Sequence, residues 1–109
     1  MKIPTAAARL EFCNGMTRQQ RTFTLSRLHP ESVRIVTERA DRRGLPDDVP
    51  RTWILTTRDR ALSVRSQRDS IAAPGGVQTL TAVDACHEVM VSHPETLARI
   101  PIERCRLRQ

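Results

Sequence analysis

The sequence predicts a single small α+β domain, in which two β-hairpins form one antiparallel sheet packed by two helices, in the order β-β-α-β-β-α. Three observations predict this fold class. The chain has 109 residues, which is the size of one domain. Four segments have the alternation or the composition of strands. Two further segments open with nearly the same letters, "HPES" at 29–32 and "HPET" at 93–96, which are typical of helix starts.

The first hairpin is predicted at residues 8–13 and 21–27. In "ARLEFC" and "RTFTLSR" the large apolar residues stand at every second position, and this period is typical of a half-buried strand. The segment between them begins with Asn14 and Gly15, a strong turn dipeptide. We therefore expect an antiparallel pair of strands joined by a long loop.

The first of the repeated phrases predicts a helix over residues 30–43. Pro30 suits the first helical position, and Glu31 lies in the first turn, where a carboxylate favours the positive end of the helix dipole. Apolar residues follow at helical spacing, and Gly44 is placed to end the helix in a left-handed conformation. The phrase is therefore interpreted as a helix start used twice, and not as a reactive site used twice.

The second hairpin is predicted at residues 51–57 and 61–66, with a tight connection at 58–60. The first segment, "RTWILTT", is rich in residues that favour strands, and the second, "ALSVRS", alternates apolar and polar residues. The segment "SIAAPGG" at 70–76 is expected to be a loop.

A second helix is predicted from Ala82 to Val91, with Thr81 as its N-cap. The phrase at residue 93 should then start one more helical turn, which Pro101 should stop because proline disfavours helix at the residue before it. Residues 99–109 are predicted to be a flexible basic tail or an edge strand of the same single domain.

The charge of the chain is strongly positive. The net charge is +6, and of the 18 basic residues only Lys2 is a lysine. The charge alternates in blocks, which are +4 over 1–29, −1 over 30–50, +3 over 51–70, −3 over 71–98 and +3 over 99–109. If folding gathers the basic blocks on one surface, they form a patch of substantial positive potential.

We therefore predict a small non-enzymatic protein whose arginines contact the phosphates of DNA or RNA. The predicted contact residues are Arg58, Arg60, Arg65, Arg68, Arg104, Arg106 and Arg108. If the tail is a strand, its three arginines share one face at a spacing of roughly 6.6–6.8 Å, which suits successive phosphates. The alternative is a protein-interaction module or inhibitor, of the kind that mobile genetic elements encode, docking on an acidic or nucleic-acid-like surface of a partner protein. A homodimer is compatible with both.

Residues 21–45, "RTFTLSRLHPESVRIVTERADRRGL", resemble the opening of ribbon-helix-helix DNA-binding proteins. A short strand with Thr22, Thr24 and Ser26 on one side is followed by a Pro-Glu helix start and a Gly-Leu turn. The resemblance implies a ribbon, paired in a dimer, that places these polar side chains in the major groove. The chain departs from the family where a second helix is due, because residues 52–57 favour a strand.

The sequence contains no recognisable catalytic or metal-binding motif, so no enzyme activity, metal or cofactor is predicted. Cys13, Cys86 and Cys105 lack the C-x-x-C spacing of a metal or redox site, and neither a Walker A loop nor a G-x-G-x-x-G motif occurs. His87 directly follows a cysteine, and Asp84 lies three residues before it. His87 lies on the apolar stripe of the predicted helix, so a core histidine is the favoured interpretation, and the spacing allows a hydrogen bond to Asp84. A Cys–His enzyme is a third hypothesis.

The cytoplasm is the expected compartment. Three scattered cysteines, an odd number, argue against a disulfide framework and for a reducing environment. No apolar run approaches the length of a membrane span, and the first residues lack the continuous apolar stretch of a secretory signal. No membrane partner is therefore expected.

Overall fold

The order of helices and strands differs from the predicted order. A computed structural model describes residues 1–107 of the chain. Its elements are α1 (Thr5–Phe12), α2 (Arg18–Ser26), α3 (Arg34–Thr37), β1 (Thr52–Thr56), α4 (Val64–Ala72), β2 (Thr79–Val83), α5 (Val89–Ser92) and α6 (Pro94–Arg106). The fold is small and α+β, but the described residues form a two-stranded parallel sheet with six helices. The predicted antiparallel sheet of two β-hairpins is therefore wrong.

The sheet is a β-α-β unit. β1 and β2 pair in parallel, with Thr52 opposite Thr79 and Thr56 opposite Val83. Parallel neighbours cannot be joined by a tight turn, because the chain must return to the same end of the sheet before the second strand begins. α4 provides that return. The predicted strand at 51–57 is confirmed as β1.

The predicted partner strand at 61–66 is instead the start of α4. The hydroxyl of Ser63 accepts a hydrogen bond from the Ser66 N–H at 3.1 Å, which caps the first turn of the helix. Such a cap typically stabilises a helix by about 1 kcal/mol. The alternation of "ALSVRS" covers too few residues to outweigh this cap and the packing of α4 on β1.

Helices cover the two faces of the sheet. On one face, the indole N–H of Trp53 in β1 donates to the side chain of Gln67 in α4 at 3.3 Å. Successive strand residues point to opposite faces, so Ile54 lies on the other one. There, Ile54 packs on the same buried cluster as Leu97 and Ile100 of α6. α4 and α6 therefore lie on opposite sides of the sheet.

The predicted first hairpin is wrong, because both of its segments are helical. α2 begins with a capping box, in which the Thr17 hydroxyl accepts from the Gln20 N–H at 3.2 Å and the Gln20 side chain accepts from the Thr17 N–H at 2.9 Å. Thr24, a residue that usually favours strands, donates its hydroxyl hydrogen to the Gln20 carbonyl at 2.9 Å. Phe23 is exposed, so the alternation does not mark a buried face.

The ribbon implied by the resemblance to ribbon-helix-helix proteins is consequently absent from the described residues. Thr22, Thr24 and Ser26 lie on α2, and Thr24 is buried. A helix cannot pair with a second copy as a ribbon strand does. Thr22, Thr24 and Ser26 therefore do not form the polar side of a ribbon strand, which the resemblance implies.

The first repeated phrase starts only a single helical turn. The predicted helix over 30–43 is reduced to α3, and Gly44 does not adopt the left-handed conformation expected of a helix cap. Val33, Ile35 and Val36 are all more than half exposed. Most of the stability of a helix in a protein comes from burying an apolar face, and this segment buries none.

The second repeated phrase does start a helix, as predicted. Pro94 lies in the first turn of α6 with Glu95 beside it. The helix then continues through Pro101, where we expected it to stop. Proline removes one backbone hydrogen bond, and the packing of Leu97 and Ile100 against the sheet holds the helix before that point. The edge strand predicted within 99–109 is therefore wrong for the described residues.

The helix predicted from Ala82 to Val91 is also wrong. Its first residues belong to β2, a loop follows, and only α5 is helical. The residues from Thr79 to Val83 pair with β1, which lies more than twenty residues away in the sequence. That partner is invisible in a local pattern.

Candidate functional site

The carboxyl ends of β1 and β2 lie side by side, and the loops that leave them remain together. The Thr57 N–H donates to the Val83 carbonyl at 3.0 Å, and the Arg58 N–H donates to the Ala85 carbonyl at 3.0 Å. Loops at this edge of a parallel sheet commonly carry the side chains that bind ligands. The residues that follow the two strands are thus brought to one place.

Asp59 and His87 form a hydrogen-bonded pair at this edge, although 28 residues separate them in the sequence. The distance between His87 Nδ1 and Asp59 Oδ2 is 2.8 Å. The side chain of Asp59 is 3% exposed, whereas that of His87 is 38% exposed. The carboxylate is therefore enclosed, and the imidazole ring reaches the surface.

Four donors hold the Asp59 carboxylate. Oδ1 accepts from the backbone N–H groups of Ala61 at 2.9 Å and Leu62 at 2.7 Å, and Oδ2 accepts from the Thr56 hydroxyl at 2.9 Å in addition to the imidazole. Burial by itself would raise the pKa of Asp59. The hydrogen bonds outweigh it, that from Leu62 most, and the pKa lies below its ordinary value. Asp59 is therefore ionised at neutral pH.

The ionised carboxylate determines which nitrogen of His87 carries the proton. Because Asp59 can only accept, Nδ1 must donate, and Nε2 of the neutral ring keeps its lone pair. Within residues 1–107, the hydrogen bonding of this ring runs through Nδ1 alone. A carboxylate in this position orients the imidazole ring and stabilises its protonated form.

A cavity of about 510 Å³ opens beside this pair, and we call it the His87 cavity. It is lined by Met1, Lys2, Ile3, Thr5, Phe12, Leu25, Leu28, His29, Glu31, Ile35, Val36 and His87. The ring of Phe12, at the end of α1, packs on the imidazole with 5.5 Å between ring centroids and 38° between planes. The cavity volume is typical of sites for small molecules, which hold roughly 300–1,000 Å³.

The loops that carry the pair are attached to the α1–α2 layer. The side-chain amide of Asn14 donates to the Arg58 carbonyl at 2.7 Å, which fixes the backbone next to Asp59. On the other loop, Cys86 is buried in one cluster with Cys13 and Met16. These contacts hold Phe12 and the cavity wall against His87.

The predicted arginines are distributed over several parts of the molecule. Arg60, Arg65 and Arg68 are exposed, the last two on α4, while Arg106 is exposed and Arg104 half-buried on α6. Arg108 lies outside the described residues. Because α4 and α6 lie on opposite sides of the sheet, the arginines of α4 and those of α6 do not form one surface.

Two arginines near the end of the chain do not share one face, as a strand would require. Arg104 and Arg106 lie on a helix, where residues two apart point about 200° from one another, so they do not share a face as in a strand.

Arg58 is paired with Asp84, with 2.7 Å between Nε and Oδ1. Asp84 does not form the hydrogen bond to His87 that the sequence spacing allows, since Asp84 accepts from Arg58 and Thr57. These two bonds, that from Thr57 first, hold the pKa of Asp84 below its usual range.

Sequence reasoning missed the partnership of Asp59 with His87. The signal was the position of each residue, three residues after β1 for Asp59 and four after β2 for His87. It can be recognised only if 52–56 and 79–83 are read as parallel neighbours, because their carboxyl ends then meet.

No protein-family model, curated protein or solved structure matches this chain. In residues 1–107, no group of three or more His, Cys, Asp or Glu side chains is placed to hold a metal ion. No helix in the same range is both long and apolar enough to span a membrane.

Proposed function

We propose that the protein is an enzyme of the hydrolase class, in which His87 is the general base of an acyl-transfer site and the Asp59 carboxylate orients His87 and stabilises its protonated form. The observation that carries this proposal is the 2.8 Å hydrogen bond between an enclosed carboxylate and a surface-reaching imidazole at the carboxyl edge of a parallel sheet. The aspartate precedes the histidine in the chain, which is the order of these two residues, after a serine nucleophile, in the α/β-hydrolases. The expectation of a non-enzymatic protein stays a prediction, and this geometry argues against it.

The reaction that suits the pair is the hydrolysis of an ester. Nε2 of His87 takes a proton from a water molecule while the water oxygen attacks the carbonyl carbon of the ester. The Asp59 carboxylate stabilises the imidazolium that forms. As the bond between the carbonyl carbon and the alcohol oxygen breaks, the imidazolium returns the proton to that oxygen, so that a carboxylic acid and an alcohol leave.

A chromogenic ester tests this proposal. We expect the chain to hydrolyse p-nitrophenyl acetate, and His87→Gln to lower the rate by about 10²–10⁴-fold, the usual contribution of a general base. His93→Gln is the matched control, because His93 bonds to Ser92 and lies outside the His87 cavity. Equal rates for the wild type and His87→Gln would overturn the proposal.

A second candidate is the binding of a nucleic acid or an acidic protein surface, on a smaller set of arginines than the sequence predicted. Within the described residues, Arg60, Arg65 and Arg68 form no salt bridge, and the last two are three residues apart on one face of α4. Phosphate contacts predict a logarithm of affinity that falls linearly with the logarithm of salt concentration. Arg65→Ala with Arg68→Ala should flatten this slope, while Arg106→Ala should leave it unchanged. No binding of DNA or RNA at low salt would sink this candidate.

The cytoplasm remains the proposed location. All three cysteines are free thiols, and Cys13 and Cys86 are buried, which suits a compartment where thiols stay reduced.

A further inference from the structure

We infer that the His87 cavity holds the uncharged, apolar acyl group of a carboxylic ester. This inference rests on the proposed function, since it assigns a substrate class to the same site. Its basis is the chemistry of the cavity wall together with the position of His87 in that wall.

The wall of the cavity is mainly apolar. Phe12 and Leu25, from α1 and α2, are half-buried, and Ile35 and Val36 of α3 also belong to the apolar lining. An acyl chain in contact with these side chains would leave water, which favours binding in proportion to the apolar area covered.

The charged groups of the wall are the Met1 ammonium, Lys2 and the pair formed by His29 and Glu31. His29 Nδ1 and Glu31 Oε1 are 3.3 Å apart, and their side chains are 70% and 51% exposed. A charged ligand group held against the apolar side chains, away from these residues, would have to give up its water without a partner of opposite charge, which is costly. The apolar part of the cavity therefore favours an uncharged acyl group over a charged one.

The exposure of two apolar side chains of α3 is a second reason to expect a ligand in the cavity. Ile35 is 66% exposed and Val36 is 67% exposed, although both face the cavity. Nothing in the described residues covers them. An acyl chain that runs from His87 toward α3 would cover this surface, and its carbonyl carbon would stay within reach of a water molecule activated at Nε2.

A series of esters tests the assignment. We expect kcat/KM to increase from p-nitrophenyl acetate to the butyrate and the octanoate, by about fourfold for each methylene group that enters the cavity. Ile35→Trp should reduce the ratio of octanoate to acetate activity by about fifteenfold, the factor expected for two lost methylene positions. Val33→Trp is the matched control, because Val33 is exposed on the same segment but does not line the cavity. It should leave the ratio unchanged.

Binding of decan-2-one, followed by NMR, separates this inference from the proposed function. The ketone should bind saturably to the wild type and to His87→Gln, shift the methyl signals of Leu25, and bind more weakly to Ile35→Trp. If acetate is hydrolysed through His87 but activity is independent of chain length and the ketone does not bind, the inference is overturned alone. If the ketone binds but no ester is hydrolysed through His87, the proposed function and the ester assignment both fail.

Discussion

The side-chain amide of Gln67 bonds both backbone groups of Thr56. Its Oε1 accepts from the Thr56 N–H at 3.1 Å, and its Nε2 donates to the Thr56 carbonyl at 2.9 Å. The same amide accepts from the Trp53 indole N–H and donates to the Leu62 carbonyl at 3.0 Å. One buried side chain thus ties the end of β1 to α4 and to the loop that carries Asp59.

Replacing Gln67 should therefore destabilise the whole β-α-β unit. Gln67 is 2% exposed, and its removal leaves the Thr56 N–H and carbonyl buried without partners. A buried unsatisfied group costs about 1–3 kcal/mol, so we expect Gln67→Ala to lower the free energy of unfolding by about 3 kcal/mol. Chemical denaturation measures this. Gln19→Ala, at an exposed position of α2, should change it little, and a similar loss for both variants would contradict the role of Gln67.

Asp59→Asn should inactivate the site by reversing the tautomer of His87. The amide can keep its oxygen toward the N–H groups of Ala61 and Leu62, which places its NH₂ against the imidazole. Nδ1 of His87 must then accept, so the proton moves to Nε2 and the base is lost. In a catalytic triad this exchange costs about 10⁴-fold in kcat.

Two measurements check this prediction independently of each other. Ester hydrolysis reports the activity, and ¹⁵N NMR of the ring reports which nitrogen is protonated. Asp69→Asn, an exposed position on α4, should alter neither. A wild-type ring protonated at Nε2 rather than Nδ1 would refute the orientation described for His87.

The parts of the fold that the sequence predicts correctly are those whose signals are local. β1 follows from a run of residues that favour strands, and the start of α6 follows from Pro94 and Glu95. β2 can be predicted only when its partner strand elsewhere in the chain is known. "LTAVDACHEV" has helical spacing, and only its pairing with β1 makes its first part a strand.

The candidate site could not be predicted from the sequence for the same reason. Neither Asp59 nor His87 belongs to a motif, and each has a closer charged neighbour in the sequence that suggests another partner. Arg58 and Asp84 are those neighbours, and they bond to each other. The site becomes visible only when the parallel register of β1 and β2 is known, because that register brings the two loops together.

Asp59 also predicts how stability depends on pH. Its pKa is lowered in the folded state, so its ionised form favours folding. This contribution is complete above the pKa of an unfolded aspartate, about 3.9, and is lost as the pH falls through the lower folded value. We expect the free energy of unfolding of the wild type to decrease below about pH 4, and that of Asp59→Asn to decrease less, since the substituted amide does not titrate.

Urea denaturation of both proteins between pH 7 and pH 3 measures this difference. Asp41 and Asp84, whose pKa values are also lowered, are present in both and cancel in the comparison. The difference in the free energy of unfolding between wild type and Asp59→Asn should therefore become smaller as the pH falls from about 4 to 3. If this difference in the free energy of unfolding is constant over the range, folding does not lower the pKa of Asp59. That result would contradict the four hydrogen bonds described for its carboxylate.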